Sequence, residues 1–411
     1  MLSLRIASVR VKNASEFLGG CLIREGGGVS SPRRLVLAIF VDAFGWELAR
    51  RIPFLDDVLV HKAPLQTVCG YSSTCDPTIL TGVAPRQHGH FSFFVYDPPR
   101  SPFRPLRALG LLPSAVADRA RVRSWISRGV GALLGWNGYF QLYNVPWNCL
   151  PMMDYIEKKD IYFPGGILGG QKTVFDPLRE RGIPFSLSDW RRPEVENLSR
   201  LKNDVSQGNI ALGWLFLASL DAVLHDHGTT GAAVVDRLRW YEERLREILE
   251  IARSRYDEVR VHVFSDHGMT DVTSTCDLMS QVQSTGLRFG HDYAAVYDST
   301  MARFWYLKDG AGLRIEAVLA GAKGGHMLDQ RQLQEWGVDF PGQRYGHRFW
   351  LADPGVLIVP SHMGLKPIPG MHGYAPDDKD SIAFYGTSTI DAPRPIGLAD
   401  LKGVVLSELG L

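Results

Sequence analysis

Three apolar runs in this sequence each lead into an aspartate. They span residues 35–41, 212–220 and 259–264, and their content of β-branched and aromatic residues is typical of strands buried in a sheet. The aspartates that follow are Asp42, Asp221 and Asp266. Side chains that follow such strands lie at the carboxyl edge of an open α/β sheet, where ligands bind. The sequence therefore predicts an α/β fold with carboxylates gathered at one edge.

The segment after the third run, residues 265–269, also carries an imidazole. Gly268 allows the backbone to turn sharply, so Asp266 and His267 are expected at the rim of the sheet as two ligand-type side chains. A capped turn with a solvated aspartate and a surface histidine is the alternative. For Asp42 the alternative is a role as the N-cap of the short helix predicted just after it.

A helical turn is expected after the second run. Asp221 and His225 are four residues apart, so the turn would bring both to one face, within reach of a single ion. His227 lies two residues further on, and a last imidazole, His372, precedes the strand-like residues 382–386.

These side chains form one set of candidate metal ligands: Asp42, Asp221, His225, Asp266, His267 and His372. The mixture of oxygen and nitrogen donors is the one that zinc prefers. Six donors are too many for one tetrahedral ion, so the set predicts two ions. Two-metal sites clamp the attacking and leaving oxygens of an in-line displacement.

A cluster of hydroxyl side chains stands before a predicted helix. Ser72, Ser73 and Thr74 run into Asp76 and Pro77. The last two suit a first helical turn, so we expect the hydroxyls where a helix N-terminus offers unpaired N–H groups to an anion. That place suits an alcohol that attacks phosphate. The alternative is that these hydroxyls only cap the helix N-terminus, because Ser and Thr collect at helix starts for structural reasons.

Composition excludes several classes of protein. With 411 residues, 45% of them hydrophobic and 22% charged, the chain can form one large domain with an insertion, or two domains. A formal charge of +1 gives no field that gathers polyanions, so we expect a small-molecule partner and no bulk nucleic-acid binding. No apolar run reaches the roughly 20 residues of a transmembrane helix.

The cysteines predict a reducing compartment, and we expect a cytoplasmic protein. They are scattered, odd in number and without CxxC spacing, so neither a disulfide framework nor a cysteine zinc site is indicated. They are Cys21, Cys69, Cys75, Cys149 and Cys276.

The chain is expected to divide into three parts. Residues 1–33 are basic and lack the apolar core of a signal peptide, so they are interpreted as a poorly ordered leader or as the product of an upstream start codon, in preference to a targeting peptide. Residues 34–411 are expected to form the main domain, with residues 92–205 inserted as a cap over the edge of the sheet. Some aromatic residues of this insertion are candidates for a substrate pocket, although most aromatic residues of any domain belong to its core. A helix predicted over residues 234–254 should cover one face of the sheet.

The motifs together resemble the alkaline phosphatase superfamily, and most closely its type I phosphodiesterase/nucleotide pyrophosphatase branch. The resemblance rests on residues 41–45, 78–82 with the following Pro85 and His88, 221–228, 265–269 and 372–374, in the order of the family. It implies a central, mostly parallel sheet flanked by helices, with an inserted cap region. The segment 92–205 lies outside the match.

The resemblance also implies roles for the donors. One zinc ion would be held by Asp221, His225 and His372, and the other by Asp42, Asp266, His267 and the nucleophile. The nucleophile of this branch stands ten residues before the glycine of the Thr-Gly pair, and counting back from Gly82 gives Ser72. Ser73 is the alternative.

Three further side chains are expected next to the metal ligands, where they would contact the ligands and not the ions: His88, His227 and Cys75. Cys75 opens a segment that imitates the start of a sulfatase signature. In sulfatases, however, the modified cysteine occupies the register of Ser72, and an arginine is needed where this chain has Ile79. Cys75 is therefore not interpreted as the nucleophile.

The implied activity is a two-zinc hydrolysis of phosphate diesters or pyrophosphates through a covalent phosphoryl-serine intermediate. Zinc would lower the pKa of the Ser72 hydroxyl, and the ions and the helix N-terminus would stabilise the transition-state oxygens. A phosphomonoesterase or a phosphotransferase could use the same site, and a non-catalytic binding protein could keep the fold. No motif separates diester from monoester substrates.

Overall fold

A computed structural model describes residues 34–111 and 117–411 of the chain. The predicted leader, residues 1–33, lies outside the described residues and stays a prediction.

Strands and helices alternate along most of the chain. The strands are β1 (Arg34–Val41), β2 (His61–Leu65), β3 (Phe94–Tyr96), β4 (Met153–Tyr155), β5 (Phe185–Leu187), β6 (Leu212–Leu217), β7 (Glu258–Phe264), β8 (Thr270–Asp271), β9 (Ser274–Cys276), β10 (Tyr293–Tyr297), β11 (Met301–Tyr306), β12 (Gly325–Met327), β13 (Arg348–Ala352), β14 (Val356–Ile358), β15 (Gly370–Met371) and β16 (Ala383–Thr387). The α-helices are α1 (Trp46–Arg51), α2 (Ser72–Thr81), α3 (Pro85–His88), α4 (Ala120–Leu133), α5 (Phe175–Arg181), α6 (Glu194–Gln207), α7 (Ser219–His227), α8 (Ala232–Arg255), α9 (Leu278–Gln283), α10 (Ala311–Gly321), α11 (Gln330–Glu335) and α12 (Leu401–Glu408). Short 3₁₀ helices span Pro98–Arg100, Arg104–Leu111, Leu150–Met152, Pro341–Gln343 and Leu398–Asp400.

The three predicted apolar runs form the middle of a six-stranded sheet with the order β2-β16-β7-β1-β6-β5. Strand β1 pairs in parallel with both β6 and β7, and β5 pairs in parallel with β6. Strand β16 runs antiparallel to both of its neighbours, β7 and β2. The predicted central, mostly parallel sheet is confirmed.

Both faces of this sheet are covered, which explains why its central strand is apolar throughout. Along β1, Leu35, Leu37 and Ile39 pack on one face with residues of α6 and α8. Val36 and Ala38 alternate with them and pack on the other face with residues of α2 and α12. This alternation follows from the period of two along a strand. The long helix α8 covers one face of the sheet, as predicted for the helix over residues 234–254.

A second sheet follows in the chain. It is antiparallel, with the order β10-β11-β13-β12, and buried side chains pack on both of its faces. No helix among residues 34–111 and 117–411 is long and apolar enough to cross a bilayer.

The predicted insertion, residues 92–205, belongs to two different parts of the fold. Strand β5 pairs with β6, so the C-terminal part of the segment belongs to the central sheet rather than to a separate cap. The earlier part holds the antiparallel pair β3-β4 and short helices, whose side chains pack in one core with those of the second sheet. The cap role of this earlier part stays a prediction.

Candidate active site

Adjacent strand ends bring the predicted ligands together. Because β7, β1 and β6 are neighbours in a parallel arrangement, the residues that follow them meet at one edge of the sheet. Asp42 follows β1 directly, Asp266 stands two residues after β7, and Asp221 lies in the first turn of α7. His372 directly follows β15. Asp42 does not cap α1, whose N-cap is Gly45 and has no side-chain cap hydrogen bond.

One group of ligand atoms consists of Asp42, Asp266 and His267, all buried, with its atoms within 4.8 Å of one another. His267 Nε2 lies 3.0 Å from Asp266 Oδ2 and 3.8 Å from Asp42 Oδ1. Ser72 Oγ lies 3.1 Å from the same His267 nitrogen. The hydroxyl is therefore at the edge of this group.

The second group consists of Asp221, His225 and His372, again with the ligand atoms within 4.8 Å of one another. His225 Nε2 lies 3.3 Å from Asp221 Oδ2, as expected for side chains one helical turn apart. His372 Nε2 lies 3.7 Å from Asp221 Oδ1. The His372 ring stacks on that of His267 with the centroids 3.8 Å apart, so the two groups are adjacent.

Several buried polar atoms of both groups lack a hydrogen-bond partner among the described residues. Asp42 Oδ1, Asp221 Oδ1 and His372 Nδ1 are buried and have no hydrogen-bond partner among the described residues. Buried polar atoms without partners are rare and costly unless an ion or a water fills the site. The unpaired buried atoms therefore fit a site that binds cations.

The electrostatics of the site favour a cation as well. Burial raises the pKa of the Asp42 carboxyl well above its usual range, and the nearby Asp266 and Asp221 raise it further. Burial lowers the pKa of His372 well below its usual range, and the neighbouring His267 and His225 add to the effect. A divalent ion would offset the repulsion among the carboxylates, and a neutral imidazole keeps a lone pair for it.

Backbone carbonyls orient two of the imidazoles. His225 Nδ1 lies 2.8 Å from the carbonyl oxygen of Gly370, and His267 Nδ1 lies 2.9 Å from that of Gly268. A carbonyl oxygen only accepts hydrogen bonds, so each Nδ1 carries the proton. Each Nε2 is therefore left with a lone pair that can coordinate an ion. Such contacts fix the tautomer and the ring orientation of metal-binding histidines.

Helix α2 begins at Ser72, four residues before Asp76, so the predicted start at Asp76 and Pro77 is wrong. Pro77 lies inside the helix, in its second turn. The N-cap position, Tyr71, has no side-chain cap hydrogen bond. Proline lacks only one backbone donor, and burial of the surrounding helix outweighs that loss. The hydroxyls are therefore in the first turn rather than before it.

The hydroxyls of this first turn differ in their surroundings. Those of Ser73 and Thr74 are buried and donate to the carbonyl oxygen of Phe91, at 3.2 and 2.7 Å. They do not cap the helix, which contradicts the N-cap alternative. The hydroxyl of Ser72 is partly exposed and faces His267. Of the two candidate nucleophiles, Ser72 is the one beside the ligands.

The three residues expected behind the ligands lie in different environments. Cys75 is buried against Thr67, whose hydroxyl donates to the carbonyl oxygen of Asp266 at 2.6 Å. Burial raises the pKa of the Cys75 thiol well above its usual range, which makes it a poor nucleophile. His88 is buried against the hydroxyl of Thr78 at 2.9 Å, inside the fold.

His227 is exposed at the end of α7, and the structure brings it into neither group of ligands.

Sequence reasoning missed the residues that hold the His372 loop. The Tyr71 hydroxyl lies 2.8 Å from that of Thr300, which in turn donates to the carbonyl oxygen of Gly373 at 2.7 Å. These residues are more than 70 positions apart in the chain, and neither Tyr71 nor Thr300 stands in a recognisable motif. No signal in a single sequence could have paired them.

Comparison with known proteins gives a family match and a structural match. Residues 36–304, more than half of the chain, match the sequence model of the type I phosphodiesterase/nucleotide pyrophosphatase family. No curated protein sequence matches the chain.

Solved structures that match the chain include those of ectonucleotide pyrophosphatase/phosphodiesterase 5. The human protein is 13% identical and the murine protein 16%, each with a TM-score of 0.65. In each case 92% of this chain and 95% of the other chain are covered. A murine structure of an inactive variant in complex with AMP matches equally well, with 15% identity, a TM-score of 0.65 and the same coverage. At such identities the likeness shows the fold alone.

Proposed function

The chain belongs to the type I phosphodiesterase/nucleotide pyrophosphatase family, and from this premise we propose that it cleaves phosphate diesters or pyrophosphates with two bound zinc ions. The observation that carries the proposal is the pair of adjacent ligand groups beside Ser72 Oγ. One ion would be held by Asp42, Asp266, His267 and Ser72, and the other by Asp221, His225 and His372. When bound, the ions supply Lewis acidity, which activates the hydroxyl and neutralises charge on the phosphate oxygens.

Ser72 is the nucleophile in this proposal. Its oxygen forms a bond to phosphorus, the bond from phosphorus to the leaving alcohol or phosphate breaks, and a phosphoryl-serine results. Water then attacks this ester, which releases the phosphate product and restores the hydroxyl. An alcohol in place of water would make the enzyme a phosphotransferase.

The first turn of α2 contributes to charge stabilisation. The N–H groups of Thr74 and Cys75 donate to the carbonyl oxygen of Tyr71, whereas those of Ser72 and Ser73 have no acceptor among the described residues. The side chains of Ser73 and Thr74 donate to Phe91 instead of capping the helix. Free N–H groups at a helix N-terminus favour anions, and the developing negative charge of a phosphoryl group is such an anion.

Two chromogenic substrates test the proposal. Zinc-loaded protein should hydrolyse bis-p-nitrophenyl phosphate faster than p-nitrophenyl phosphate. A strong preference for the monoester would favour a phosphomonoesterase at the same site and overturn the diesterase assignment. Absence of turnover on both, with zinc bound, would favour a non-catalytic binding protein.

A further inference from the structure

The earlier part of the predicted insertion exposes large apolar side chains. Leu111 ends a 3₁₀ helix and Leu133 ends α4, and they are 89% and 87% exposed. Trp125, in the middle of α4, is 66% exposed, and Leu134 follows the helix at 40%. A single exposed apolar residue is ordinary, but several of them on neighbouring elements mark an interaction surface.

Helix α4 is anchored on its inner side, so the exposure of its outer side is not a result of loose packing. Ile126 and Val130 pack against the core that the second sheet shares. Arg123 is buried beside them and donates to the carbonyl oxygen of Val145 at 2.8 Å. These contacts fix the rotation of the helix and leave Trp125 on the side that faces solvent.

Arginines flank these apolar residues. Residues 98–134 contain seven arginines and one acidic residue, Asp118, which is a formal charge of +6 in a chain whose net charge is +1. Arg121 and Arg128 stand four residues before and three residues after Trp125, so all three lie on one helix face. Both arginines are exposed, and neither pairs with a carboxylate within residues 34–111 and 117–411.

The 3₁₀ helix lies beside the start of α4, and Trp147 connects the two. The Trp147 Nε1 donates to Asp118 at 2.9 Å, and the Arg123 guanidinium lies 4.2 Å from the centroid of its ring. On the other side, a Cβ atom on Gly110 would lie 3.5 Å from the Cβ of Trp147. We refer to the exposed residues of both helices as the Arg–Trp face: Arg107, Leu111, Arg121, Trp125, Arg128 and Leu133.

The chemistry of the Arg–Trp face fits the surface of an anionic lipid bilayer. Tryptophan is favoured at the level of the lipid headgroups, leucine enters the boundary of the acyl chains, and arginine is attracted to anionic headgroups. We propose that this face binds anionic membranes peripherally. The proposal goes beyond the proposed function and does not depend on it, because none of these residues is a candidate ligand or the nucleophile.

Two other partners fit the Arg–Trp face less well. In a symmetric dimer the arginines of both copies would meet across the interface, and like charges brought together repel. A nucleic acid would neutralise the arginines but would leave Leu111 and Leu133 in water.

Sedimentation of the full chain with lipid vesicles tests the proposal. Vesicles with about 30% phosphatidylserine in phosphatidylcholine should bind the protein at least about tenfold more tightly than pure phosphatidylcholine. Sodium chloride at about 0.5 M should weaken this binding, because salt screens the arginines. Equal binding to both kinds of vesicle, or binding to neither, would overturn the proposal.

The arginines are tested by a pair of double variants with the same change in charge. Arg121→Gln with Arg128→Gln should weaken binding to the anionic vesicles about 20-fold, since each basic residue at such a surface contributes about fivefold. Arg239→Gln with Arg253→Gln is the matched control, because both residues are exposed on α8, and it should bind as the unaltered protein does. An equal loss in the two double variants would mean that only net charge matters, which would overturn the face.

The apolar residues are tested in the same way. Leu133→Ala should weaken binding at least about threefold, whereas Leu313→Ala should not, although Leu313 is also 80% exposed, on α10. The anionic vesicles should shift the tryptophan emission to shorter wavelength, and Trp125→Phe should remove most of this shift while the protein still binds. A shift that persists in Trp125→Phe would overturn the assigned face.

Two further measurements cover the other partners. Sedimentation equilibrium should show no dimer that Leu133→Ala dissociates, and a single-stranded oligonucleotide should not compete with the anionic vesicles. Such a dimer, or capture of the oligonucleotide without binding to vesicles, would overturn the proposal. All of these side chains are exposed, so the variants should keep the melting temperature of the unaltered protein, which serves as the control for folding.

Discussion

At the scale of single residues, the account depends on the hydroxyl of Ser72. Ser72→Ala should lower kcat by at least ~10³-fold because no neighbouring group can form the phosphoryl ester. The zinc content should be nearly unchanged, since six other ligands are kept. Steady-state kinetics and metal analysis on the same sample measure both.

Ser73→Ala is the matched control. The hydroxyl of Ser73 donates to Phe91 and faces away from the ligands, so its loss should change kcat only a few-fold. If instead Ser73→Ala abolishes turnover and Ser72→Ala does not, the assigned nucleophile is wrong by one residue.

At the scale of elements, strand ends position the candidate ligands, and close backbone packing holds those ends. A Cβ atom on Gly268 would lie 2.2 Å from the carbonyl oxygen of Asp380. Gly268 is therefore required for space rather than for a left-handed turn, since its φ is not positive. Gly268→Ala should displace the loop that carries Asp266 and His267, destabilise the fold by about 1–3 kcal/mol and weaken zinc binding.

Thermal unfolding and a zinc titration measure these two effects. Gly403→Ala is the control, because Gly403 lies inside α12 and a Cβ atom on it would meet nothing within 4 Å beyond the backbone of its own helix. That substitution should leave zinc binding unchanged and stabilise the helix by up to about 1 kcal/mol. Equal behaviour of the two variants would contradict the packing argument.

The elements that could be predicted from sequence are those with a strong local pattern. The apolar runs of β1, β6 and β7 and the period of α8 were sufficient to predict the central sheet and a covering helix. The start of α2 was predicted wrongly because Pro77 is usual in a first turn, and the burial of this helix overrides that local preference.

At the scale of the whole molecule, the site is assembled from segments between Asp42 and His372, so metal binding should be linked to global stability. On the proposed function, zinc would bind the folded site and have little affinity for the unfolded chain, which would stabilise the fold by about 4 kcal/mol per ion at free zinc ~1000 times Kd. Chelation should therefore lower the melting temperature by several degrees, and restored zinc should raise it again.

Acid should weaken the stabilisation of the fold by zinc. The raised pKa of Asp42 means that its carboxyl is protonated before an ordinary aspartate as pH falls, and protons then compete with the ion. Differential scanning calorimetry with and without a chelator, at two pH values, measures the effect. A melting temperature that does not respond to zinc at neutral pH would contradict the link between metal binding and stability.

Local patterns predicted the six side chains that the structure brings into two groups, but not how the whole molecule holds them. Which strands are neighbours, and which carbonyls orient His225 and His267, depend on contacts across more than a hundred residues or on backbone conformation. A motif specifies the chemical type of a side chain, whereas its surroundings are set by the complete fold.

The central claim is that two metal ions bind in the two adjacent ligand groups. Anomalous diffraction from zinc-soaked crystals, collected on both sides of the zinc absorption edge, tests it most directly. The account predicts two peaks, one among Asp42, Asp266, His267 and Ser72 and one among Asp221, His225 and His372. A single peak, or peaks bound to other residues, would contradict it.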